Sequence, residues 1–419
     1  MKKRLRTIFV WVLVSLLLQF GAYSYLNNQV AKVLGPVAEE GPITEQLVAT
    51  IPGSDFENVQ ISYAKDYLAY TENGTLKIFN LKKEKMVFEK KAPANDNSMG
   101  VLNYQWLPDR DTLVYFYAKK NPNPVTYVTV PVESTPSTTT PPKSTVPLNP
   151  EDPNQKTDKQ VQEEVKQNEV PVKTKTVAKY GNPQITELYT LELPTSDEDT
   201  APDDRFNQTI NEFPAGGKIE ELVVSTSTNL IYLTVKNGST EQLMEIDVMK
   251  NVRTLNKTGE IIDSMAASDR YGTLFITSKV GGTKQVVSLG VGNRHTISKN
   301  ANDKVLGIRD GKVYIGEVKN NVLVKIKSTE DRSEMKDSPS LKTEWEGSIT
   351  FNNVSAIIGS KGGIVIYNQQ TAYIIANGQL EELQLLGDEN YISDDGAELI
   401  QLKRSGSSTI VELQPLKDS

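Results

Sequence analysis

The sequence offers few residues suited to nucleophilic or metal chemistry. It contains no cysteine, which excludes disulfides, thiolate nucleophiles and cysteine-ligated metals. His295 is the only histidine, so a Ser-His-Asp triad would have to use it. The G-x-S-x-G motif of many serine hydrolases is also missing from the chain. We therefore interpret His295 as a surface-loop residue.

Acidic residues are the remaining candidates for chemistry. Three pairs are adjacent in sequence: Asp203-Asp204, Glu220-Glu221 and Asp394-Asp395. Neighbours in a strand face opposite sides of the sheet, and an aspartate in a turn mostly bonds the backbone. The run at 197–204 (DEDTAPDD) has the hard oxygen ligands that Ca²⁺ prefers, but not the alternation and glycine of a calcium loop. We predict no catalytic, metal-binding or cofactor-binding residue in these segments.

Glycine-rich stretches at 279–284, 290–293 and 360–365 invite comparison with phosphate-binding loops. Such loops lead into a helix whose N-terminus receives the phosphate. None of the three stretches precedes a helical pattern. We predict hairpin turns at these positions.

The N-terminal segment has the features of a membrane anchor. Residues 8–26 carry no charge and are long enough to span a bilayer as one helix. All four basic residues of the 1–7 segment precede them, which predicts a cytoplasmic tail at 1–7 and export of everything after 26. A cleaved signal peptide is the alternative, because Ala22 and Ser24 are small. Residues 27–42 then form a tether.

Charge and composition restrict the partners. Without its four N-terminal basic residues the chain has 42 basic and 53 acidic side chains. Such an acidic surface excludes nucleic acid as a partner, because phosphate repels it. An exported chain without disulfides fits a bacterial cell envelope. We expect the anchor to contact the membrane and the exported part to meet an envelope protein or polysaccharide.

A repeat runs through the exported part. Seven units begin near residues 60, 105, 225, 265, 305, 355 and 390, most of them about 40–45 residues apart. Each has an apolar run, a turn with Asp, Asn or Gly, and a second apolar run. This spacing predicts an all-β propeller of seven four-stranded blades at 43–120 and 185–416. Six to eight blades, or two β-sandwich domains, are the alternatives.

Two further segments complete this organisation. ITEQLVATI at 43–51 has no partner in its own unit, and we predict that it is the outer strand of the last blade and closes the ring. Residues 121–184 contain 11 of the 21 prolines and read as a disordered Pro/Thr-rich insertion. TELYTLEL at 186–193 supplies the third strand of the second blade, so the insertion lies between its second and third strands.

The second unit resembles a known repeat. Residues 106–116 (WLPDRDTLVYF) are similar to the W-S-P-D-G-K-x-L-x-Y repeat of bacterial TolB-type, WD40-like propellers. Trp106, Pro108 and Asp109 match that pattern, as do Leu113 and Tyr115. Position 107 and positions 110–111 depart from it. The resemblance implies a propeller and carries over no catalytic residue.

The sequence favours a membrane-anchored extracytoplasmic β-propeller that acts as a non-enzymatic binding or scaffolding module. The alternative is a propeller hydrolase or lyase that acts on glycans or peptides through carboxylates near the axis. Three or more carboxylates at the channel mouth would indicate the enzyme, and an apolar-aromatic face the binding module. Trp106 and Trp345 are predicted to pack between blades, with a sugar-stacking platform as the alternative.

Overall fold

The computed structural model describes residues 46–93, 99–131, 174–194, 200–290, 292–359 and 362–416, together with Gln19. The predicted tail at 1–7, tether at 27–42 and anchor at 8–26 (apart from Gln19) lie outside this range. Among the described residues there is no helix of the length and hydrophobicity needed to span a membrane. The chain divides into two compact units, 1–119 with 185–419, and 120–184.

The first unit is an all-β propeller with seven four-stranded blades among its described residues. Blade 1 contains β2 (Glu57–Ile61), β3 (Tyr67–Glu72), β4 (Thr75–Asn80) and β5 (Lys85–Lys90). Blade 2 contains β6 (Gly100–Trp106), β7 (Thr112–Lys120), β10 (Gln184–Glu192) and β11 (Asp203–Thr209). Blade 3 contains β12 (Lys218–Ser225), β13 (Leu230–Asn237), β14 (Thr240–Ile246) and β15 (Val252–Thr254).

The remaining four blades follow in chain order. Blade 4 contains β16 (Ile261–Ala267), β17 (Leu274–Val280), β18 (Thr283–Gly290) and β19 (Asn293–Ser298). Blade 5 contains β20 (Asp303–Arg309), β21 (Lys312–Lys319), β22 (Val322–Glu330) and β23 (Lys342–Thr350). Blade 6 contains β24 (Ser355–Ile358), β25 (Ile364–Tyr367), β26 (Thr371–Ala376) and β27 (Gln379–Gln384). Blade 7 contains β28 (Glu389–Ile392), β29 (Glu398–Ser405), β30 (Ser408–Pro415) and β1 (Leu47–Pro52).

The core lies between the blades, in seven apolar clusters that each join two neighbouring sheets. Because side chains alternate along each strand, one strand contributes residues to the clusters on both faces of its sheet. On β3, Leu68 and Tyr70 pack toward blade 7, while Tyr67 and Ala69 pack toward blade 2. Each sheet therefore has two buried faces, whereas a sheet of a two-layer sandwich has one. The two-sandwich alternative is wrong for this reason.

The ring closes through β1. This strand pairs antiparallel with β30, with Leu47 opposite Leu413 and Pro52 opposite Ser408. Ala49 and Ile51 are buried in the cluster between blades 7 and 1, whereas Val48 and Thr50 face solvent. The described part of the predicted closing strand thus occupies the predicted place in the last blade.

The second unit contains a two-stranded sheet, β8 (Val125–Pro131) paired with β9 (Thr174–Tyr180). The prediction of a disordered insertion at 121–184 did not include these strands. Both are rich in Val, Thr and Tyr, and their pairing places Val128 opposite Val177. Local β-propensity therefore orders the two ends of a segment whose overall composition suggests disorder. Residues 132–173 lie outside the described range.

Closure by β1 predicts a specific stability difference. Ile51 is fully buried between blades 7 and 1, so Ile51→Ala should lower the free energy of unfolding by about 2–5 kcal/mol. Thr50→Ala, on the solvent face of the same strand, should change it by less than about 0.5 kcal/mol. Urea denaturation of the full-length chain measures both values. Equal losses in the two variants would contradict closure by this strand.

Candidate functional site

The turns between the first and second strands meet at one end of the propeller axis. The first strands of neighbouring blades lie side by side and form the inner ring of the propeller. Their outgoing turns in blades 1–5 and 7 border a cavity of about 330 Å³. We call these segments the inner turns and the cavity the mouth. The mouth is the described site where side chains from the most blades come together.

Charged side chains dominate the mouth. Its carboxylates are Asp109, Asp269, Asp310, Asp331, Asp394 and Asp395. Its cationic residues are Lys65, Arg270 and Arg309. Acidic groups therefore outnumber basic ones, and four of the seven blades contribute the acidic groups. Among the described residues, no group of three or more His, Cys, Asp or Glu has a geometry suited to a metal ion.

A buried ion-pair cluster joins the inner turns of blades 7 and 1. The Lys65 ammonium lies 2.6 Å from an Asp395 oxygen and 3.3 Å from a Glu398 oxygen. Burial opposes ionisation of Asp395, but the Lys65 charge more than compensates and lowers the pKa of that carboxyl. Glu398 is fully buried, and burial raises its pKa despite Lys65. This cluster is structural, because its charges neutralise one another within the protein.

Aspartates of the inner turns also join neighbouring blades through the backbone. Asp111 of blade 2 accepts a hydrogen bond from the Ala64 N–H of blade 1 at 2.8 Å. Asp269 of blade 4 accepts one from the Thr226 N–H of blade 3 at 3.2 Å. Asp111 also bonds the Ser62 side chain, and Asp269 also bonds the Thr226 side chain. A carboxylate can accept more hydrogen bonds than these, so Asp269 can hold two blades together and still border the mouth.

Two mouth carboxylates are held in unusual surroundings. Asp394 accepts a hydrogen bond from the Gln105 side chain at 2.7 Å, and the surrounding protein raises its pKa. Asp331 is only 6% exposed, and burial raises its pKa as well. Its Oδ2 accepts a hydrogen bond from Ser268, whereas its Oδ1 is buried without a hydrogen-bond partner. An unsatisfied carboxylate oxygen at this place favours a positively charged donor.

Further inside, β-bulges interrupt the first strands of blades 1–5. The bulges lie at 57–60, 101–103, 219–221, 262–264 and 305–307. Polar residues beside them bond the next blade. Gln60 donates to the Tyr104 carbonyl at 3.1 Å, and Ser264 donates to the Val305 carbonyl at 3.0 Å. Backbone carbonyls on the inner edge strands β6 and β20 are satisfied in this way.

Glu221 occupies such a position in blade 3. Burial, together with the nearby Glu241 and Asp263, raises the pKa of its carboxyl to about 7. Lys304 and a backbone hydrogen bond from Met265 oppose that rise without cancelling it. Strict alternation predicted that Glu220 and Glu221 point to opposite faces. The bulge breaks that alternation, which only the structure reveals.

Most other residues discussed from sequence lie away from the mouth. His295 is on β19, 31% exposed, with Nδ1 3.8 Å from an Asp337 oxygen. Asp203 and Asp204 lie on β11, the outer strand of blade 2, whereas residues 200–202 of the acidic run lie in no strand. Gly281 and Gly282 form the turn between β17 and β18, as predicted. Residues 291, 360 and 361 of the other two glycine stretches lie outside the described range.

Trp106 and Trp345 pack between blades, as predicted. Trp106 is 2% exposed in the cluster joining blades 1 and 2, and Trp345 is 5% exposed in the cluster joining blades 5 and 6. Neither presents an open ring face to a sugar. Trp106 also borders the mouth from below the inner turn of blade 2.

An aromatic cluster near the rim was not foreseen. The Lys90 ammonium of blade 1 lies 3.9 Å from the Tyr189 ring centroid and 2.9 Å from an Asp204 oxygen of blade 2. Tyr115 stacks parallel to Tyr189 and donates to Asp204 at 2.6 Å. Cation–π and ionic contacts therefore connect the outer parts of blades 1 and 2. The residues lie far apart in sequence, which hid the cluster.

Comparison with known proteins identifies no family. No protein-family model and no curated protein sequence matches the chain. The WD40 domain of SCAP from fission yeast is a similar solved structure, with 8% identity over 88% of this chain and 94% of that one, and a TM-score of 0.41. The AfRom2 CNH domain has 9% identity over 91% and 99% of the two chains, with a TM-score of 0.43.

A prolyl endopeptidase structure is also similar, with 13% identity and a TM-score of 0.43. The match covers 88% of this chain but 48% of that enzyme, so the chain spans about half of its length. At such identities these likenesses concern fold alone. The TolB-type resemblance of residues 106–116 stays a prediction.

The ion-pair cluster predicts a large effect of one uncharged substitution. Lys65→Met keeps the apolar stem but leaves Asp395 and buried Glu398 without their cation, so the free energy of unfolding should fall by about 3–5 kcal/mol at pH 7. The deficit should shrink below about pH 5, where the two carboxyls take up protons. Arg205→Met, which removes a solvent-exposed pair with Asp203, should cost far less. Similar losses for both would contradict this account.

Glu221 predicts a pH-dependent stability. Its folded pKa of about 7 lies above the ordinary value of 4.5, so the folded state binds its proton more tightly than the unfolded state. This carboxyl therefore lowers stability as pH rises from about 4.5 through 7, and the full penalty is present above pH 7. Glu221→Gln should be more stable than the parent chain at pH 8, with a smaller difference at pH 5. Thermal unfolding at pH 5 and pH 8 measures the difference in stability between the two chains. A difference that does not depend on pH would contradict the raised pKa of Glu221.

Proposed function

We propose that the chain is a non-enzymatic binding module of the bacterial cell envelope, tethered by residues 8–26, whose mouth captures a cationic segment of a partner protein. The observation that carries this proposal is the excess of carboxylates over cations at the mouth, in particular the Asp331 oxygen left without a hydrogen-bond partner.

The charge state of the mouth supports a cationic ligand. Lys65 is neutralised within the protein by Asp395 and Glu398. Asp269, Asp331 and Asp394 come from different blades, and burial raises the pKa of each. A lysine or arginine side chain entering the mouth would favour their ionised forms and offer donors to their open acceptor sites. An anionic polysaccharide or nucleic acid would meet repulsion.

The rigid setting supports binding as well. Hydrogen bonds from the Thr226 backbone and the Gln105 side chain fix Asp269 and Asp394, so a ligand would not have to order them first. Binding to groups held in place avoids much of the entropic penalty of association. A cavity of about 330 Å³ accommodates one or two side chains of a partner rather than a folded element.

A hydrolase or lyase remains the second candidate, because the number of carboxylates at the mouth is what we expected of such an enzyme. Asp394, whose raised pKa suits a proton donor, would be its acid. Against it, Asp395 and Asp109 are paired with cations, and Asp269 bonds a neighbouring turn. Through these contacts the carboxylates stabilise the fold, which favours the binding module over the enzyme.

The test uses fluorescent decalysine and decaglutamate with the full-length purified chain. Fluorescence anisotropy should show binding of decalysine, weakened by salt, and none of decaglutamate. The double variant Asp269→Asn with Asp394→Asn preserves side-chain shape and should weaken decalysine binding at least about tenfold. Asp203→Asn, exposed on the outer strand of blade 2, should leave the affinity unchanged.

Equal affinity of the double variant and the parent chain for decalysine would overturn the proposed site. Mass spectrometry of the same mixtures separates the two candidate functions. Intact peptide after prolonged incubation agrees with a binding module, whereas cleavage that disappears in Asp394→Asn would establish the enzyme instead.

A further inference from the structure

The hairpin of β8 and β9 has a free edge on each side. Within the described residues, β8 pairs with β9 alone, and the two form a separate two-stranded sheet. Isolated two-stranded sheets are marginally stable in water, and three or more strands are needed for independent stability. The side chains of Tyr127 and Tyr180 are 74% and 80% exposed. The hairpin would therefore gain from a further strand.

The two edges of this hairpin differ in charge. β9 carries Lys175 and Lys179, and lysine on an edge strand is a common protection against pairing with another chain. β8, with the sequence VTYVTVP, carries no charged residue and is rich in β-branched side chains. The β8 edge thus has the composition of a strand that accepts a neighbour.

The outer strands of the propeller show how unusual this is. Those of blades 1–6 each contain at least one charged residue. β1, in blade 7, is uncharged, but it already belongs to a four-stranded sheet anchored by a buried face. β8 combines an uncharged edge with a sheet of two strands.

We propose that the β8 edge is an interface between two copies of this chain. The two β8 strands pair antiparallel and form one four-stranded sheet in the order β9-β8-β8-β9. A two-fold axis perpendicular to the sheet relates the copies, so each residue meets a residue of the same face. That symmetry allows registers with Tyr127 opposite its own copy or Val128 opposite its own copy.

A second copy suits this edge for a chemical reason. In either register the opposing residues in the middle of β8 are Tyr, Val and Thr, which form favourable cross-strand pairs, and Pro131 lies at the end of the strand. No like charges are brought together along β8, although the chain as a whole has a net charge of -7. The lysines of β9 stay on the outer edges of the new sheet, where they limit growth to two copies. This inference is independent of the ligand at the mouth.

The absence of cysteine allows a direct test with single-cysteine variants of the full-length chain. Directly opposite residues of an antiparallel pair have Cα atoms about 4.5–5.5 Å apart, within the range of a disulfide. Under mild oxidation Val128→Cys or Tyr127→Cys should form a disulfide-linked dimer, and whichever reacts faster identifies the register. Val177→Cys is the control, because three strand spacings, about 14 Å, would separate it from its copy.

Lysine substitutions provide the matching equilibrium measurement. Val128 and Val177 lie opposite each other and are 43% and 41% exposed, so a lysine at either place disturbs the hairpin to a similar degree. Sedimentation velocity should show at least about a tenfold weaker self-association for Val128→Lys than for Val177→Lys. Thr50→Lys on β1, the other uncharged edge, should behave like the parent chain.

Three results would overturn the proposal. One is a parent chain that stays monomeric at about 100 µM, where a specific weak dimer is populated. Another is equal cross-linking of Val128→Cys, Tyr127→Cys and Val177→Cys. The third is dissociation by Thr50→Lys but not by Val128→Lys, which would place the interface on β1.

Discussion

Pairing of β1 with β30 is the contact on which the rest of the propeller depends. It joins residues 47–52 to residues 408–413 and completes the last blade from both ends of the domain. Without it, blade 7 would have three strands, and the apolar faces of Ala49 and Ile51 would leave the cluster between blades 7 and 1. Since every blade is stabilised by two neighbours, one open interface weakens the whole ring.

The inner turns hold neighbouring blades together and also border the mouth. An aspartate that fixes a neighbouring turn, such as Asp269, is also held in a defined position at the mouth. The structure therefore obtains a rigid acidic site from residues that the repeat already needs for its turns. Because the same carboxylates also stabilise the turns, their number alone does not distinguish a binding module from an enzyme. The hydrogen-bond and ion-pair partners of each carboxylate distinguish the two functions.

The segment 120–184 has a different character from the propeller. Its strands β8 and β9 form a separate sheet with exposed tyrosines and valines, whereas propeller strands bury both faces. The described part of this segment contributes to none of the seven buried apolar clusters, so an added strand would stabilise its sheet. The chain thus combines a rigid part suited to ligand capture with a small sheet suited to association.

The sequence alone determined the all-β class, the seven repeats and the closing role of residues 47–51, because repeat spacing and strand alternation are local properties. It also placed residues 186–192 in the second blade beyond the insertion. Only the tertiary structure decided which charges meet. Lys65 and Asp395 are 330 positions apart, yet the ring makes them neighbours. The β-bulge beside Glu221 and the orphan oxygen of Asp331 likewise depend on packing across blades, which no local pattern records.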